Sequence, residues 1–126
     1  TLHPTMYAKT FGAKMKEHGA KAYIVNTGWN GTGKRISIKD TRAIIDSIID
    51  GSIENTQTIH IPVLNLNVPV KLNNVSEGIL DPRDTYANKE DWTNKAKSLA
   101  AKYIKSFEQY LDNDDAKSLV ASGPQL

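Results

Sequence analysis

The 126-residue chain sets 16 lysine and arginine residues against 14 aspartate and glutamate, a formal charge of +2, so it lacks the basic footprint of a polyanion binder and nucleic acid is not implied. With 39% hydrophobic and 24% charged residues it reads as one soluble globular domain with a modest core, not as a disordered chain. It has no cysteine, hence neither disulfides nor thiolate zinc sites, and it contains no run of about 20 apolar residues and no charged-then-apolar leader, so neither membrane insertion nor secretion is expected and the cytoplasm is the default.

The start at Thr1, Leu2 and His3 carries no initiator methionine, and the chain reads as a fragment. Pro4 suits a first helical turn and Gly19 a position just past a helix end, with Tyr7, Phe11 and Met15 spaced by four on one face between them. Residues 20–27, through Tyr23, Ile24 and Val25, form a short and nearly continuous apolar run that predicts a strand buried on both faces. Ser37 followed by Asp40 resembles a capping box, with Asp in place of the usual Glu or Gln. A helix is therefore predicted from Ile38 to Asp50, carrying Ile44, Ile45, Ile48 and Ile49 on one side and ended by Gly51.

From Thr58 the period changes to two. Ile59, Ile61 and Val63 share one parity, whereas Leu64, Leu66, Val68, Val70 and Leu72 share the other. A one-residue slip turns every side chain over, so a bulge or two separate short strands are expected, with Pro62 and Pro69 favouring edges. Residues 73–87 are a turn-rich connector, and the Asp81-Pro82-Arg83-Asp84 run within it is read as a turn rather than as paired catalytic carboxylates. Asn88 caps a predicted helix with Trp92, Ala96, Leu99, Tyr103, Phe107 and Tyr110 as a core-facing stripe. A last short helix from about Asp114 to Ser122 stops at Gly123-Pro124. The fold class is mixed α and β (α/β or α+β), with a small mixed or antiparallel sheet and flanking helices.

The distinctive segment runs from Asn26 to Arg42. Gly28 to Lys34 matches the spacing of a phosphate loop, whose amides cradle phosphates and whose lysine reaches the terminal ones. Arg35 stands where that motif needs Ser or Thr to hold magnesium, and a guanidinium cannot coordinate a cation. A dinucleotide fingerprint fails too, since Ile36 falls where the last glycine should be. Spacing alone leaves open a self-contained small kinase or nucleoside triphosphatase using Gly28 to Lys34, and a glycine-rich turn with a solvated basic face of Lys34, Arg35, Lys39 and Arg42. His3, His18 and His60 lack ligand-like spacing, so no metal residue is assigned.

The run Gly28-Trp29-Asn30-Gly31-Thr32-Gly33-Lys34-Arg35, continuing through Ile38-Lys39-Asp40-Thr41-Arg42, resembles the ATP-dependent phosphoenolpyruvate carboxykinases. The likeness extends colinearly from Leu2-His3-Pro4 through Leu80-Asp81-Pro82-Arg83, Thr85-Tyr86-Ala87 and Trp92 to Ala121, Gly123-Pro124 and Leu126. It implies that residues 1–126 are the C-terminal portion of the nucleotide-binding domain of a larger enzyme. That enzyme turns oxaloacetate and ATP into phosphoenolpyruvate, carbon dioxide and ADP in gluconeogenesis. The resemblance puts the phosphate loop, the ligands of Mg2+ and Mn2+ and the oxaloacetate-binding arginine upstream of this chain, and so implies an inactive fragment without catalytic residues. It also implies that Arg35 lies against adenine, that Ile36 lines the same pocket and that Thr41 contacts the base. A guanidinium can stack on an aromatic ring and a hydroxyl can donate or accept at its edge.

Overall fold

The structure, a computed structural model, describes residues 2–126. Among them the chain forms α1 (Pro4–His18), α2 (Ile38–Ile49), β1 (Thr58–Ile61), β2 (Leu66–Pro69), α3 (Lys89–Glu108) and α4 (Asp114–Leu119), with short 3₁₀ turns at Ser52–Asn55, Pro82–Thr85 and Val120–Ser122. The class is mixed helix and strand with a small antiparallel sheet, as the residue pattern predicts.

The helices start and stop where their caps say. Pro4 opens α1, and Gly19 in the left-handed region (φ 61°) closes it, with the Ala20 N–H returning to the Met15 carbonyl at 2.9 Å. Asn88 caps α3 by accepting from the Glu90 N–H at 2.9 Å, and Asn113 caps α4 by accepting from that of Ala116 at 2.8 Å. His3 ties α1 to the corner between α3 and α4. Its Nδ1 accepts from the Thr5 N–H (3.3 Å) and lies 3.2 Å from Asn113 Nδ2, and its Nε2 lies 3.2 Å from the Asp112 carboxylate.

The parity slip between Val63 and Leu64 is a chain reversal. β1 and β2 pair antiparallel, Ile59 opposite Val68 and Ile61 opposite Leu66, and residues 62–65 turn between them. Val63 sits at φ 68° in a tight turn closed by the Leu64 N–H on the Pro62 carbonyl at 2.8 Å, a left-handed conformation that a β-branched residue rarely adopts. Contacts from far along the chain hold the turn in place. The Gln125 N–H donates to the Val63 carbonyl at 2.9 Å, and Asn65 Nδ2 donates to the carbonyls of Ala121 (3.1 Å) and Gly123 (3.2 Å).

The core lies between this hairpin and the first half of α3. Ile61, Trp92 and Ala96 are buried together, with Ile59, Val63, Leu64, Val68 and Tyr86 packed around them. Two expectations need correcting. The aromatic stripe of α3 is interrupted in its middle: Leu99 and Tyr103 are exposed and the small Ala100 is buried instead, whereas Phe107 and Tyr110 are half-buried against each other. Residues 20–27 form no strand, and no backbone hydrogen bond to another element engages residues 21–27. Ile24 there is 91% exposed. An apolar run can suit a sheet, but a strand exists only where a neighbouring edge meets its N–H and C=O groups, and none of the described residues supplies one.

Candidate functional site

The segment from Asn26 to Thr41 folds as a tight glycine turn feeding α2. Trp29 and Arg35 bridge antiparallel across it, flanked by Asn30 N–H to Lys34 O (2.8 Å) and Ile36 N–H to Gly28 O (2.9 Å). One side chain organises the tip: Asn30 Oδ1 accepts from the Thr32 N–H (3.0 Å), the Lys34 N–H (3.0 Å) and the Thr32 hydroxyl (2.8 Å). Gly33 adopts φ 76°, and its N–H goes to the Asn30 carbonyl at 3.1 Å. Gly31 lies under the Tyr86 ring, and its N–H donates to Thr85 Oγ1 at 3.2 Å. The amides that a phosphate loop would offer to phosphate oxygens, those of Gly31, Thr32, Gly33 and Lys34, are thus each engaged within the protein.

Two carboxylates fix the surroundings. Asp40 is buried; the Ser37 hydroxyl donates to its Oδ2 at 2.6 Å, the Ser76 N–H donates to its Oδ1 at 2.8 Å, and its own N–H goes back to Ser37 Oγ at 3.0 Å. The expected capping box forms with a difference: the hydroxyl of Ser37, rather than its amide, meets the acidic side chain, which leaves one oxygen for the connector. These hydrogen bonds, that from Ser37 foremost, hold the Asp40 carboxyl below the ordinary aspartate range. Asp81 accepts from Arg83 Nε (2.9 Å) and Nη2 (2.7 Å) as well as from the Arg83 N–H (2.9 Å), and this pairing lowers its carboxyl too. Asp81 is therefore committed to a turn, as its spacing predicts.

A group whose pKa is lower folded than unfolded adds stability above its unfolded value, about 3.9 for aspartate, and loses it as the pH falls through the folded value. Stability is thus expected to be level from neutral pH to about pH 5 and to fall steeply below about pH 4. Urea midpoints measured across pH check this, and Asp81→Asn should flatten part of the acid limb.

Of the three residues singled out from sequence, Arg35 is exposed at the mouth of the turn, its guanidinium carbon 5.9 Å from the centre of the exposed Trp29 ring. Ile36 follows it, half-buried; Thr41 is half-buried in the first turn of α2, its N–H on the Ser37 carbonyl at 3.0 Å. Trp29, to which the residue pattern assigns no role, is exposed beside Arg35. Neither of two surface clefts is lined by the three. One, of about 410 Å³, runs along α2 past Lys39, Arg42 and Asp46 to Asn73. The other, of about 520 Å³, lies between Gly31 and Thr32 and the Asp91, Asn94 and Lys95 face of α3.

Among the described residues no three His, Cys, Asp or Glu side chains converge as a metal site. No described helix is long and apolar enough to cross a membrane.

A family model for a carboxykinase matches residues 1–78, well over half of the chain and all of the glycine turn and α2. That family is phosphoenolpyruvate carboxykinase, and the chain belongs to its ATP-dependent branch. Members of the family use ATP, oxaloacetate and divalent metal ions. The match ends before the Leu80-Asp81-Pro82-Arg83 turn.

Proposed function

We propose that residues 1–126 are the C-terminal portion of the nucleotide-binding domain of an ATP-dependent phosphoenolpyruvate carboxykinase and form the adenine-facing side of its ATP site. In the whole enzyme, a carboxy-lyase of cytoplasmic gluconeogenesis, oxaloacetate loses carbon dioxide. The enolate oxygen left behind attacks the terminal phosphorus of ATP, and the bond to ADP breaks, giving phosphoenolpyruvate. The residues for those steps, and the ligands of the divalent metal ions that the family uses, lie in parts of the enzyme outside this chain.

The observation that carries the reading is that the family match spans the whole run from Gly28 to Arg42 and that, within this run, Arg35 is exposed beside Trp29. A guanidinium is planar and permanently charged, so it can cover the face of a purine. Ile36 adds an apolar wall and Thr41 a hydroxyl at the base edge. The phosphates are left to the rest of the enzyme, in keeping with turn amides that are already bonded within the protein.

Thermal unfolding with and without millimolar ATP tests this, because a ligand of the folded state alone must stabilise it. At ATP about tenfold above its dissociation constant the gain is about 1.4 kcal/mol, which is several degrees in a domain of this size. The expected result is a shift lost in Arg35→Ala and kept in Lys34→Ala. The opposite pattern would restore the phosphate-loop reading, and no shift in the wild type would mean that this chain alone does not complete a site.

A further inference from the structure

The three proposed adenine residues sit on two pieces of backbone: Arg35 and Ile36 at the exit of the glycine turn, Thr41 on the first turn of α2. Ser37 is the joint between them, and the one side chain that grips this joint from beyond it is that of Asp40. Its carboxylate takes the Ser37 hydroxyl on one oxygen and the Ser76 N–H, from a loop 36 residues further along, on the other. Asp40 is only 4% exposed, so water cannot replace either partner cheaply.

We propose, resting on the nucleotide reading above, that Asp40 is a positioning residue for ATP: its carboxylate clamps Ser37 to the Ser76 loop and so sets the pose of Arg35, Ile36 and Thr41 relative to one another. A carboxylate in the first turn of a helix also favours the helix by charge alone, and the test has to separate that effect from the clamp. The amide of Asn can do so. In Asp40→Asn the side-chain oxygen still accepts from the Ser76 N–H and the nitrogen can donate to Ser37 Oγ, so the bridge survives while the charge is lost.

The experiment is a comparison of wild type, Asp40→Ala and Asp40→Asn by amide NMR and by ATP titration. In Asp40→Ala the amide signals of Ile36, Thr41 and Ser76 are expected to move, Ser76 to exchange faster with solvent, and ATP to bind roughly tenfold more weakly, the scale of one lost buried hydrogen bond; Asp40→Asn is expected to restore most of each. If Asp40→Asn behaves as Asp40→Ala, the residue acts through helix charge and the clamp is refuted. Unchanged ATP affinity in Asp40→Ala refutes it as well.

Should Asp40→Ala not fold, an acid titration of the wild type decides. The Ser76, Ile36 and Thr41 amides are expected to track the Asp40 carboxyl, whose charged neighbour is Lys39. Amides that ignore it overturn the proposal. The two readings fail separately: ATP that never binds the wild type, with the amides still coupled, sinks the nucleotide reading, whereas ATP that binds while the amides are uncoupled sinks the clamp.

Discussion

Trp92→Ala is expected to cost about 3–5 kcal/mol, the range for truncating a large buried aromatic. Trp92 is 6% exposed and is the largest member of the cluster it forms with Ile61 and Ala96, at the point where α3 meets the hairpin. Against a total stability of about 5–15 kcal/mol for a typical domain, such a loss brings the chain close to unfolding. Urea denaturation measures it, with Tyr103→Ala as the control on the same helix. Tyr103 is exposed, and its truncation is expected to stay within about 0.5 kcal/mol. Equal losses at the two positions would mean that α3 does not pack as described.

Gly31→Ala is expected to be the most damaging small change in the glycine turn, at about 1–3 kcal/mol, the usual scale of overpacking. A Cβ on Gly31 would land in the Tyr86 ring. Tyr86 cannot simply swing away, because it packs on the Ile61 and Trp92 cluster and Lys95 lies 5.0 Å over its ring. Displacing it also pulls Thr85 from the Gly31 N–H. The clash belongs to the pair, so in a double-mutant cycle Gly31→Ala is expected to cost much less in a Tyr86→Ala background. Additive losses would place the cost in the backbone of the turn instead.

Much of this fold is legible in the sequence because it is local. The caps at Ser37 and Asn88, the stops at Gly19 and Gly51 and the parity slip at Val63 each act within a few residues. What resisted reading is what depends on distant partners. Residues 20–27 have the composition of a strand, yet composition cannot supply the neighbouring edge. The face of α1 carrying Tyr7 and Phe11 is amphipathic by spacing and exposed in fact. On α3 the spacing favours Leu99, whereas the geometry of packing chooses Ala100. At the candidate site, the turn and its entry into α2 could be read from glycines and a cap. Arg35, Ile36 and Thr41 owed their proposed roles to resemblance, and the ties of Asp40 to Ser76 and of Gly31 to Thr85 and Tyr86 follow no local rule.

The strained turn at Val63 has a consequence for the time course of synthesis. A β-branched residue in the left-handed region gives up of order 1–3 kcal/mol, and the hydrogen bonds that hold this turn reach it from Ala121, Gly123 and Gln125. A chain emerging from a ribosome at about 5–20 residues per second exposes β1 and β2 seconds before those partners exist. During that interval the hairpin has its register but lacks the ties that favour its turn, and nascent chains shorter than residue 125 would sample it only loosely. The hairpin therefore becomes rigid only after residues 121–125 have joined it.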